Sequence, residues 1–97
     1  MGTTETYLNL LREFKRKYAA EYGITRIGIF GSVARGEQKK GSDVDVCIDA
    51  PPMGLLALSG LHLELEDLFN APVDVVRMRK EMSARFKQRV EKEAIYV

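Results

Sequence analysis

The sequence predicts an α/β fold, a small sheet of about three strands flanked by helices. Three observations carry this. Stretches with apolar residues at helical spacing alternate along the chain with short β-branched runs. Glycine, proline or asparagine stands at most of the junctions between them. At 97 residues, 45% hydrophobic and 30% charged, the chain has the balance of one small globular domain with a single core, expected to span residues 1–97.

The elements follow in order. From Glu5 to Tyr22, Leu8, Leu11, Tyr18 and Tyr22 recur at helical spacing, and Gly23 is a natural stop. Ile24 to Phe30 reads as a strand, with Ile27, Ile29 and Phe30 as β-formers. Gly31-Ser32 breaks it, and Ser32 suits the start of a short helix ending at about Gly36. Glu37 to Ser42 is a polar loop. From Asp43 to Asp49 the residues alternate: Val44, Val46 and Ile48 leave one face, and Asp43, Asp45, Cys47 and Asp49 the other. Pro51-Pro52 ends that strand. Gly54 to Phe69 is a second long helix, with Leu58, Leu61, Leu65 and Leu68 as its expected buried stripe and Leu56 and Leu63 outside it. Asn70-Ala71-Pro72 turns the chain into a strand from Val73 to Arg77. Glu81 to Lys92 is a last helix, expected to bury Met82, Phe86 and Val90. The order is α-β-α-β-α-β-α, and the pattern alone leaves parallel and mixed sheets both open.

A formal net charge of +1 gives no global attraction to nucleic acid or membrane. Seven basic residues do lie between Arg77 and Lys92, against Glu81 and Glu91. They form either a solvated helix face or a patch toward an anionic partner. Cys47 is the single cysteine, which excludes an intrachain disulfide or a cysteine zinc cluster and fits a reducing cytoplasm. No apolar run reaches the roughly 20 residues of a membrane span, and the start does not read as a signal peptide. Met1-Gly2 with Thr6 matches the short myristoylation pattern, which arises readily by chance.

The chemistry concentrates between Gly31 and Asp45. Asp43 and Asp45 stand two apart in a strand, so both carboxylates leave the same face. A bare pair of this kind is ordinarily a turn cap and a solvent-facing residue. Here it follows a glycine-serine turn. Acids held this close repel, and a hard cation relieves the repulsion; Mg²⁺ suits a few carboxylates plus substrate phosphates. Asp74, alone among valines in the next strand, is the natural third acid for a two-metal phosphoryl site. Gly31 lets backbone approach a phosphate, and the Ser32 hydroxyl adds a donor. Arg35 either binds phosphate or braces the loop by pairing with an acid such as Asp45. Asp49 lies too far along the strand to join the metal set, and His62 reads as structural or exposed.

Ten residues separate Ser32 from Asp43. The run Gly31-Ser32-Val33-Ala34-Arg35-Gly36, followed by Ser42-Asp43-Val44-Asp45, resembles the signature of the DNA polymerase β-like nucleotidyltransferases. The small size looks like the minimal nucleotidyltransferase family, over about Ile24 to Val97. The resemblance implies a mixed sheet, two Mg²⁺ ions on Asp43, Asp45 and Asp74, and a nucleotide triphosphate at Gly31, Ser32, Arg35 and Ser42. It implies attack on the α-phosphate of ATP with pyrophosphate leaving. It further implies a cytoplasmic antitoxin that moves AMP to a tyrosine of a small helical HEPN ribonuclease toxin, with no direct contact to nucleic acid or membrane. Two rival readings are neutralisation of the toxin by binding alone and transfer to a small molecule such as an antibiotic. The latter usually needs an acceptor pocket built from extra chain. The surplus leucines of the middle helix and Ile95-Tyr96-Val97 are candidates for a docking surface or for ordinary core and chain end.

Overall fold

The computed structural model describes residues 3–39 and 41–97; Met1 and Gly2, on which the myristoylation pattern rests, lie outside the described residues. Helix α1 (Thr4–Tyr22) leads to strand β1 (Arg26–Phe30), short helix α2 (Gly31–Arg35) and strand β2 (Val44–Asp49). Helix α3 (Leu55–Phe69), strand β3 (Val73–Arg77), helix α4 (Ala84–Glu93) and strand β4 (Ile95–Tyr96) complete the chain. The strands form one mixed sheet in the order β3-β2-β1-β4. β1 runs antiparallel to β2 and β4, while β2 and β3 are parallel. A parallel pair needs a long crossover, and α3 supplies it.

Local chemistry sets the boundaries. Thr3 caps α1 by accepting the Thr6 amide at 3.3 Å, and Gly23, at φ 69°, ends it in the left-handed conformation. Ser83 caps α4 through the Phe86 amide. Gly36, at φ 72°, closes α2 as the sequence leads one to expect. Ser32 does not cap α2. The helix begins one residue earlier, after Phe30, with no side-chain cap, because the chain turns directly out of β1 at Gly31.

The period of two in the strands sorts the core. Ile27, Ile29, Val44, Val46, Ile48 and Val73 pack on one side of the sheet with Leu8, Leu11 and Phe14 of α1 and Leu61, Leu65 and Phe69 of α3. On the other side Phe30 and Cys47 pack with Met78 and Val90, where α4 lies. Each fully buried aliphatic side chain contributes about 1.5–3 kcal/mol. The stripe on α3 differs from the leucine spacing. Residues 54–59 are all exposed, so the first turn stands clear of the core and Leu58 is 37% exposed. Burial starts at Leu61 and continues through Leu65 to Phe69, with Leu68 partly buried. Leu56 and Leu63 are 90% and 65% exposed. Among the described residues no helix is long and apolar enough to cross a membrane.

β4 is the element the sequence did not announce: two residues are too few for a periodic signal. It is held by Gly28, whose Cα is in register with Tyr96. A Cβ on Gly28 would sit 2.7 Å from the Ile95 carbonyl oxygen and 2.8 Å from the Tyr96 ring. Gly28→Ala is therefore expected to push β4 off the sheet and destabilise the fold by about 1–3 kcal/mol. Urea denaturation reads the loss. Faster amide exchange at Val97, whose N–H donates to the Ile27 carbonyl at 3.0 Å, locates it.

Candidate active site

The α4 side of the sheet carries the polar residues. Register pairs share a face in a sheet, so Phe30 of β1, Asp45 of β2 and Asp74 of β3 form a row across three strands. Asp45 is half-buried, and Asp74 is exposed on the edge strand. Asp43 is exposed just before β2. The two valines flanking Asp45 are anchored in the core, which fixes the direction in which its carboxylate leaves the strand.

Gly31 follows Phe30 and so stands beside Asp45. Its φ is 75°, and a Cβ there would overlap Asp45 Oδ2. Glycine is required twice over, by the left-handed backbone and by the close carboxylate. The electrostatics agree with this crowding. Partial burial pushes the Asp45 carboxyl up from the usual carboxylate range, and the charges of Asp74 and then Asp43 push it further. The Arg35 and Arg89 guanidiniums oppose the rise. Asp74 and Asp43 are thus each within electrostatic reach of Asp45. Among the described residues, no three or more His, Cys, Asp or Glu side chains form a ready-made metal cage.

The remaining sequence candidates find clear places. Ser32 is half-buried in α2, directly after Gly31. Arg35 pairs through Nε with Glu37 at 2.8 Å and through Nη1 with Glu93 at 3.3 Å, so its bracing partners are these acids and its influence on Asp45 acts through space. Ser42 closes the loop ahead of Asp43: its hydroxyl accepts the Lys39 amide at 2.8 Å. Asp49, on the same face as Asp45, is paired with Arg26 at 2.8 Å, and Arg26 lies 4.0 Å over the Tyr96 ring. His62 is partly exposed beside Glu66. Cys47 is buried, and burial pushes its thiol up, away from the reactive range.

Two residues of the site carry no motif. Glu93, the last residue of α4, has a side chain only 23% exposed. Its Oε1 accepts the Gly31 amide at 3.3 Å, while its Oε2 faces Arg35 at 3.3 Å and Arg89 at 3.9 Å. In sequence Glu93 is an acid at the end of a charged helix, and only the packing of α4 against α2 reveals its position. Arg89 belongs to the basic run from Arg77 to Lys92, and it is the member of that run seen here facing both Glu93 and Asp45.

Comparison with known proteins places this geometry. The nucleotidyltransferase domain model matches residues 9–97. A protein adenylyltransferase, MntA of Thermococcus cleftensis, is 35% identical over 98 residues, spanning 100% of this chain and 98% of that one. A solved structure described as a minimal nucleotidyltransferase superposes with a TM-score of 0.78 at 37% identity, covering 97% of this chain and 95% of that one. The antitoxin in a solved Shewanella oneidensis complex with a tri-AMPylated HEPN toxin shares the fold, with a TM-score of 0.69 at 20% identity over 97% of this chain and 71% of that one. A mixed sheet bearing its acids beside a glycine turn, together with a family match over nearly the whole chain, makes this protein a member of the nucleotidyltransferase domain family in its minimal form.

Proposed function

We propose that this chain transfers the adenylyl group of ATP to a hydroxyl carried by a partner protein, a tyrosine of a helical HEPN-type toxin, and so acts as its antitoxin. The observation that carries the reading is the row of Asp45 and Asp74 beside Gly31, with Asp43 just ahead of β2. The acids supply hard oxygen donors, and burial, then the charges of Asp74 and Asp43, raise the Asp45 carboxyl. This suits Mg²⁺, which binds through one or two carboxylates plus substrate phosphates rather than in an all-protein cage. Asp43, Asp45 and Asp74 would hold two such ions, which supply charge neutralisation at the reacting phosphate.

The protein's own part is positioning. Gly31 and Ser32 receive the triphosphate, and Arg35 stands at the end of the same short helix. Ser42 acts indirectly, by closing the loop that delivers Asp43. The acceptor oxygen attacks the α-phosphorus, the bond to pyrophosphate breaks, and the acceptor proton passes to Asp74. Asp74 is exposed at the open edge of the sheet, where a bulky protein acceptor can reach it. The name of the Thermococcus relative supports the reaction class, and the Shewanella complex supports a HEPN partner.

The test uses the protein, its helical partner, Mg²⁺ and ATP labelled at either the α- or the γ-phosphate. Label from α-labelled ATP is expected on the partner, lost on chelation, with none from γ-labelled ATP. Transfer of the γ label would overturn the reaction class. Tight binding with no label from either would replace catalysis by neutralisation through contact alone.

A further inference from the structure

The reading above needs the Gly31 amide and the Arg35 guanidinium for phosphate, and both are already engaged by one carboxylate. Glu93 Oε1 accepts from Gly31 N–H, and Glu93 Oε2 faces Arg35 and, more loosely, Arg89. We infer that Glu93 is a built-in competitor of the nucleotide: its carboxylate holds the place that a phosphate oxygen takes on binding, and the two exclude each other.

The chemistry of the contacts supports this. A carboxylate and a phosphate present the same acceptor oxygens to an amide and to a guanidinium. Glu93 is three-quarters buried against Gly31, in a site that must receive a polyanion. A fixed negative charge there repels phosphate and also draws Arg35 Nη1 and, at 3.9 Å, Arg89 toward itself, while Glu37 holds the Nε of Arg35. Glu93 is also the last residue of α4 and is followed, after Ala94, by β4. The carboxylate therefore comes from an element separate from the turn it contacts. It can withdraw by rotation of its own side chain while Gly31, Ser32 and Asp45 stay in place.

Glu93 thus sets nucleotide affinity without taking part in the transfer. In the free protein it keeps Arg35 and Arg89 gathered over the turn. In the nucleotide complex it yields them.

The inference rests on phosphate binding at the glycine-serine turn, and the experiment separates the two. Titration calorimetry with a non-hydrolysable ATP analogue and Mg²⁺ is run on the wild type, Glu93→Gln, Glu93→Asp and Gly31→Ala. Glu93→Gln keeps an oxygen for the Gly31 amide but removes the charge. It is expected to bind the analogue roughly three- to tenfold more tightly. Glu93→Asp, one methylene shorter, is expected to tighten binding by a smaller factor, and it carries the test if the glutamine variant fails to fold. Unchanged or weaker binding in the Glu93 variants, with the wild type itself binding the analogue, would overturn the competitor role and leave the phosphate site standing. No binding by the wild type or by any of the three would overturn both.

Discussion

Asp43→Asn and Asp45→Asn are each expected to lower adenylyl transfer by roughly 10³-fold or more, measured as initial rates with α-labelled ATP. An amide keeps the shape and loses the charge. In the proposed mechanism two acids set two residues apart would not stand in for each other, since each would meet the reacting phosphate from its own position. The Asp45 variant carries a second signature of opposite sign. Its carboxyl is raised first by burial and then by Asp74 and Asp43, so the ionised form is destabilising in the folded state. Neutralising it is expected to stabilise the fold by about 0.5–1 kcal/mol at neutral pH after solvent screening, raising Tm by a few degrees. The sign follows from linkage. A carboxyl raised in the folded state is most destabilising above its folded pKa; the penalty fades as pH falls from there toward the unfolded value of about 3.9 and is gone below it. The stability gap between Asp45→Asn and wild type should therefore close on acidification. Loss of activity with equal or lower stability at neutral pH would remove the electrostatic account of Asp45.

Gly31→Ala is expected to damage both fold and turnover. The backbone there has φ 75°, and the new methyl would overlap Asp45 Oδ2. Left-handed strain plus displacement of a half-buried carboxylate gives a loss of about 2–4 kcal/mol. Moving Asp45 by about an ångström also costs on the order of 10² in rate, because the reaction depends on positioning. Gly36→Ala is the matched control. It shares the positive φ, 72°, but its Cβ would meet only Thr4 Oγ1 at 3.7 Å. It should lose about 1 kcal/mol and keep its transfer rate. Chemical denaturation and steady-state rates on the two variants separate backbone strain from collision with Asp45. Equal behaviour of the pair would show that the contact with Asp45 is of no consequence.

Much of this architecture was legible in the sequence because it rests on local rules. Gly23 and Gly36 read as left-handed helix ends and are so. The alternation from Asp43 to Asp49 placed the acids opposite Val44, Val46 and Ile48, and the core follows that division. A lone Asp74 among valines pointed to the neighbouring strand, where it stands in register with Asp45. What stayed hidden depends on packing between distant segments. Helical spacing made Leu58 a core residue, but only the later turns of α3 meet the sheet. Ser32 had the chemistry of a cap without the position. β4 is too short to show a period, and Glu93 has no local mark at all, since its partners lie at Gly31 and Arg35.

The parallel pairing of β2 with β3 fixes the order in which the site can come into being. Asp45 and Gly31 meet through the adjacent β1–β2 hairpin, a nearby closure that a partly folded chain can achieve early. Asp74 joins them only after α3 has formed and carried β3 back alongside β2, a far longer loop to close. A nascent or locally unfolded molecule lacking that strand would hold the first two acids and the turn without the third. Chemistry that requires all three is thus confined to the completed fold.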